Sequence, residues 1–178
     1  MNNILINQDS SIGIIGGADG PTAVFLAGQI DSAWNWINMF GIIIVVLVLV
    51  PNIIYAIKFR DIRNRCTNKM MNILEQIGRY ACMLFMVLNI SGEYGFTSVG
   101  TFLIYMLGNI VLLLVYWIIW MLYFVRQARW KSITLAVLPT LIFLLSGVTL
   151  FYVPLIISAV IFGVAHIYVT WKNVSNKI

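Results

Sequence analysis

The sequence predicts an all-α fold: a polytopic integral membrane protein built as a helical bundle of about five transmembrane helices. Three observations lead there. The 178-residue chain is 61% hydrophobic and only 10% charged, where a soluble domain carries about a quarter charged residues. Its apolar runs approach the roughly 20 residues needed to cross a bilayer. No Lys or Arg precedes Lys58, after which the basic residues fall in short clusters between apolar runs. These are Lys58, Arg60, Arg63, Arg65 and Lys69; then Arg126, Arg129 and Lys131; then Lys172 and Lys177, with Arg79 alone inside an apolar stretch. A nucleic-acid surface would gather its cations on one solvated face with aromatics between them. Clusters alternating with spans follow positive-inside topology instead, so no nucleic-acid partner is expected, and the lipid bilayer is.

Residues 1–36 lack the charged n-region of a secretory signal and carry no A-x-A-like cleavage site before the first span, so they are expected to be retained. They are read as an extracytoplasmic or re-entrant segment, followed by a five-span domain over 37–178. The first span, 39–57, is "MFGIIIVVLVLVPNIIYAI", with Trp34 and Trp36 before it at headgroup level. Pro51 inside it frees the Leu47 carbonyl, and Asn52 is the expected internal partner for exposed backbone. The second span must take in "MMNILEQIGR" to reach crossing length, giving about 70–90 and drawing Glu75 and Arg79 toward the inner boundary.

The third span, 100–125, ends in "YWIIWMLYF", read as an aromatic belt directly before Arg126. The fourth, 132–150, contains Pro139, and the fifth, 154–171, opens on Pro154, a favoured first-turn position. The loops on the opposite side, "SGEYGFTSVG" and the short turn near residue 150, hold no Lys or Arg. Asp9, Asp19, Asp31 and Glu93 also fall on that side. The expected topology therefore has the N-terminus outside, the C-terminus inside, and neighbouring spans antiparallel. Cys66 and Cys82 have no C-x-x-C spacing and no oxidising face, and are expected to be thiols.

The stretch "SIGIIGGADGPTAVFLAG", residues 11–28, resembles a signature of the beta subunit of sodium-translocating decarboxylases acting on oxaloacetate, methylmalonyl-CoA or glutaconyl-CoA. The resemblance has Gly16-Gly17-Ala18-Asp19-Gly20-Pro21-Thr22 as its core and is confined to about a tenth of the chain. It implies Na⁺ binding at Asp19, with Gly20 and Thr22 beside it at a break in an intramembrane segment. Carbonyls released by glycine and proline, a hydroxyl and a carboxylate are the hard oxygen ligands a small cation requires. Two readings of the stretch stand: an ion or docking element packed at the bundle, or an outer segment that coordinates nothing. A phosphate-cradling loop is excluded by the glycine spacing and by the lack of nearby basic residues.

Within the spans, Glu75 and Arg79 stand at i, i+4 with Glu toward the N-terminus, the favourable order for a helical ion pair. His166, the single histidine, falls two-thirds along the fifth span and is in reach of Glu75 if both lie toward the inner side. Gln76 and Tyr80 are expected to extend that polar set, and Asn52, Asn89 and Asn109 to act as interhelical glue. Neither H-E-x-x-H, G-x-S-x-G nor a Cys–His pairing occurs, so no enzyme activity is expected. No cofactor beyond Na⁺ is expected. The expected function is sodium-linked transport at the cell membrane, in a bacterial plasma membrane, alone as a homo-oligomer or within a larger membrane complex. The alternative is a membrane-embedded accessory, sensory or assembly protein.

Overall fold

In a computed structural model of the chain, the described residues are 37–58, 66–88, 96 and 98–175. The motif at 11–28, with Asp19, Gly20 and Thr22, lies outside them, as do Arg60, Arg63, Arg65, Asn89, Glu93 and Lys177. The chain divides into two units, Met1–Asn35 and Trp36–Ile178. The second is an all-α bundle of five helices: α1 (Met39–Lys58), α2 (Lys69–Val87), α3 (Val99–Val125), α4 (Arg129–Thr149) and α5 (Val153–Ser175).

Four of these, α1, α3, α4 and α5, are long and apolar enough to cross a membrane. Helix α2 falls below that measure because Asn72, Glu75, Gln76 and Arg79 dilute its apolar residues. Its arrangement offsets its composition. Glu75, Gly78, Cys82 and Met86 are buried against the bundle, while Met70, Ile73, Ile77 and Leu84 face outward. A buried carboxylate behind a largely apolar exterior is the inverse of a water-soluble amphipathic helix, and it suits a lipid surround.

The helices alternate up and down and close into a ring in the order α1, α3, α4, α5, α2, with α2 also reaching α4. One end is marked by the pairing of Ile37 with Leu88 and a 2.7 Å bond from the Asn38 amide to the Val87 carbonyl. At the other end the Cys66 amide donates to Asn173 Oδ1 at 3.1 Å. Except for Arg79, the described basic residues all stand at that second end: Lys58, Lys69, Arg126, Arg129, Lys131 and Lys172.

Local chemistry sets the helix ends. Asn38 caps α1, its Oδ1 accepting from the Gly41 amide at 2.9 Å, as an asparagine before a helical run is suited to do. Asn68 caps α2, and Ser98 with Thr101 forms a capping box on α3. The α4–α5 turn closes with the Tyr152 amide on the Gly147 carbonyl at 2.9 Å, and Phe151 takes a left-handed φ of 52°.

Three boundaries differ from those expected. Helix α2 ends at Val87, where Leu88 turns extended to pair with Ile37. Helix α4 starts at Arg129, ahead of the expected 132, because Lys131 folds back to cap α3, its Nζ donating to the Leu122 and Arg126 carbonyls at 2.7 and 2.9 Å. That puts a cation at a helix C-terminus, where the dipole favours it. Helix α5 runs past 171 to Ser175, and the Asn173 contact to Cys66 holds this added turn.

Burying apolar surface gives little drive between helices already surrounded by lipid, so close contact and internal hydrogen bonds must hold the ring. Gly78 supplies one close contact: a Cβ there would stand 2.9 Å from the Phe162 Cα of α5. Gly41 supplies another, since a Cβ would come within 2.1 Å of the Met86 carbonyl of α2. Both cysteines are buried thiols, Cys82 in the core and Cys66 at the basic end.

The aromatic run of α3 is not purely an interface belt. Tyr116, Trp120 and Tyr123, spaced as one helical face, are buried. Tyr55 of α1 packs on Trp120 and Tyr123 with ring centroids at 5.3 and 5.8 Å. Trp117, on the flank of that face, meets the backbone of α1 instead. Pro51 leaves the Leu47 carbonyl without its helical donor, and the Trp117 indole fills the place at 3.2 Å. Asn52, the expected partner, instead bonds the Val48 carbonyl at 3.0 Å and the Tyr116 hydroxyl at 2.9 Å. Its side chain is too short to reach a carbonyl five residues back while holding the one four residues back.

Candidate functional site

Two polar clusters lie inside the described bundle. The first belongs to the end where α1 begins. Asn109 of α3 donates to the Tyr105 carbonyl at 2.8 Å and to the Ser146 hydroxyl of α4 at 3.2 Å. The Ser146 hydroxyl also reaches the Ile142 carbonyl at 2.8 Å, and Asn38 Nδ2 stands 3.4 Å from the Tyr105 hydroxyl. All four residues are buried and none is charged. Amide and hydroxyl donors meet carbonyl and hydroxyl acceptors, which is sufficient to join three elements without any change of charge.

The second cluster lies nearer the basic end and is ionisable. The Glu75 carboxylate, on the buried face of α2, is ion-paired with Arg79 one turn on. From α5, His166 places Nδ1 2.9 Å from the same oxygen, Oε1 of Glu75. The His166 ring lies on Phe162, centroids 4.8 Å apart and planes inclined by 15°. Phe162 in turn is the residue that Gly78 allows α2 to approach. Sequence spacing brings Glu75 and Arg79 together; the glycine contact and the aromatic shelf bring His166 to them.

The chemistry of the second cluster is directional. An ionised carboxylate only accepts hydrogen bonds, so it receives both the Arg79 guanidinium and a protonated Nδ1 of His166. In that tautomer Nε2 is the acceptor nitrogen of the neutral ring. The side chains grade in exposure from Glu75 at 12% through His166 at 20% to Arg79 at 41%, so the cluster opens outward along the guanidinium. Gln76 and Tyr80, expected to extend it, lie on the exposed face of α2 and point away.

Glu75 is the single carboxylate among the described residues. No group of three or more His, Cys, Asp or Glu suited to a metal ion occurs among them. The expected Na⁺ ligands Asp19, Gly20 and Thr22 fall outside those residues, so the described bundle neither supplies nor excludes that site. Of the expected glue, Asn52 and Asn109 join helices as described above. Sequence reasoning missed Asn38, Tyr105, Ser146 and the Trp117–Leu47 bond. The cap position of Asn38 was the one legible signal among these.

No family model, no curated protein and no solved structure matches this chain.

Proposed function

We propose that this chain is a small multi-pass protein of a bacterial plasma membrane, N-terminus outside and C-terminus inside, serving ion-linked transport. The observation that carries the reading is the Glu75 carboxylate. It is buried on a helix whose outer face is largely apolar, and is shared between Arg79 of the same helix and His166 of another. Ionisable groups placed inside a membrane bundle are costly and mark ion or proton pathways. Here one proton at His166 changes the charge of a cluster that joins α2 to α5. The collection of basic residues at one end supports the orientation.

Sodium is the ion favoured by the resemblance at residues 11–28, with Asp19, Gly20 and Thr22 as its ligands and Glu75, Arg79 and His166 as the charged step in the bundle. A ligand bound only by the folded state raises its melting temperature. Purified protein in detergent is expected to melt higher in Na⁺ than in K⁺ at equal ionic strength, with the difference abolished by Asp19→Asn. Equal melting in the two salts would overturn the sodium reading.

One observation favours a second reading. The neutral cluster of Asn38, Tyr105, Asn109 and Ser146 spends its hydrogen bonds on the bundle itself, as a rigid accessory or assembly subunit would require. Melting that ignores both Na⁺ and the charge of Glu75 would support that reading.

A further inference from the structure

A groove of about 600 Å³ runs along the outside of the α4–α5 pair. Its wall is apolar, formed by Leu144, Val160, Val164, Tyr168 and Trp171, with Thr140 on the α4 side. The Thr140 hydroxyl is turned away from the groove's needs, donating to the Ala136 carbonyl at 3.2 Å. From Val160 to Trp171 the groove follows α5 for about 16 Å at the helical rise. One leaflet of a bilayer has a hydrocarbon depth of about 15 Å. The groove therefore has the length of a single acyl chain.

Its basic end has a different chemistry. The Lys172 ammonium rests over the two rings that finish the groove, 5.1 Å from the Trp171 centroid and 5.9 Å from that of Tyr168. On α4, helical spacing carries the face of Thr140 and Leu144 through Val137 and Ile133 to Trp130 and Arg129, both exposed. Lys172, Trp171 and Tyr168 thus finish the channel, and on α4 Arg129 and Trp130 follow the face that lines it toward the same basic end. The single described carboxylate, Glu75, is occupied by Arg79 and His166. Among the described residues, neither Lys172 nor Arg129 has an anionic partner.

We infer that the α4–α5 groove is a site for an anionic phospholipid of the leaflet at the basic end. One acyl chain lies against Val160, Val164 and Leu144, and the phosphate sits between Lys172 and Arg129. Trp171, Tyr168 and Trp130 mark the level of the ester linkages, where indole and phenol rings prefer to reside. The anion is a lipid headgroup and not a soluble phosphate, because the cations gain their position from the apolar channel beneath them. A basic pocket between helices on the inner side is the arrangement that selects anionic headgroups over zwitterionic ones.

The test uses the full chain, delipidated in detergent and supplied with phosphatidylglycerol, phosphatidylcholine or inorganic phosphate. Retained lipid is counted by native mass spectrometry and melting followed in parallel. Phosphatidylglycerol is expected to be retained and to raise the melting temperature more than phosphatidylcholine, with inorganic phosphate inactive. Each of Lys172→Gln and Arg129→Gln is expected to lower phosphatidylglycerol retention roughly fivefold, as for one surface cation near an anionic headgroup. Val160→Trp, which fills the channel and leaves both cations in place, is expected to lower it as well. Equal retention of the two lipids, or retention unchanged in Lys172→Gln with Arg129→Gln, would overturn the inference. So would a second copy of the chain occupying the face with phosphatidylglycerol present.

Discussion

The two polar clusters of the bundle answer the same demand by different means. At one end, Asn38, Tyr105, Asn109 and Ser146 are buried to within 2% of their surface and neutral. At the other, Glu75, Arg79 and His166 are ionisable and open progressively toward the outside of α2. Neutral amides and hydroxyls suffice to hold helices together at about 0.6 kcal/mol per bond in a membrane. A carboxylate, a guanidinium and an imidazole cost far more to place there. Packing alone does not call for them, so the charged cluster is where this molecule departs from an inert bundle. The same contrast separates α1 from α2. Helix α1 is apolar but for Asn52 and the terminal Lys58, its one backbone defect at Pro51 repaired by Trp117 of α3. Helix α2 turns its carboxylate, Glu75, inward and leaves Gln76 and Tyr80 on its exposed face.

The contrast breaks most severely at Gly41. A methyl group there meets the Met86 carbonyl at 2.1 Å and the Asn38 side-chain Nδ2 at 2.7 Å, so Gly41→Ala forces α1 off α2 and disturbs the neutral cluster. A loss of about 3 kcal/mol is expected, read as the largest fall in melting temperature of any variant here. Gly100→Ala is the control. Its nearest atom is Ser98 Oγ at 3.5 Å, and no destabilisation should follow.

The next effect sharpens the difference between the clusters. Glu75→Leu leaves Arg79 without its carboxylate and should cost about 2–3 kcal/mol, toward the lower end for a broken ion pair because Arg79 is not enclosed. Adding Arg79→Leu should recover most of that loss. In the neutral cluster Asn109→Leu should cost about 1 kcal/mol, with no charge partner through which to rescue it. Thermal melting of the four proteins decides whether charge balance governs one cluster and not the other.

The smallest effect concerns α1. Trp117→Phe removes the donor to the Leu47 carbonyl and should lower stability by about 0.6 kcal/mol, the scale of one hydrogen bond within a membrane. Hydrogen exchange at the amides around Pro51 should rise more than elsewhere in α1.

Much of this architecture is legible in the sequence because lipid imposes one-dimensional rules. Apolar length placed α1 and α3 nearly to the residue, and the i, i+4 spacing announced Glu75 with Arg79. What stayed hidden depends on rotation of helices about their axes. Composition could not show that α2 turns Glu75 inward and Ile73 and Ile77 outward, or that Tyr116, Trp120 and Tyr123 face the interior instead of a headgroup layer. The reach of long side chains was equally invisible. Lys131 reads as a topogenic charge, yet it folds back on the carbonyls of the preceding helix. A proline announces the orphaned Leu47 carbonyl, but its donor comes from 70 residues away in the chain.

The link between Glu75 and His166 is the central claim, and the single histidine makes it directly observable. Histidine labelled with ¹⁵N in the purified protein yields one imidazole spectrum, and its shifts report which nitrogen carries the hydrogen. A protonated Nδ1 bonded to a carboxylate is predicted in the wild type, with that signature lost in Glu75→Gln. Identical imidazole shifts in the two proteins would contradict the link, and with it the assignment of the charged cluster as the centre that couples α2 to α5.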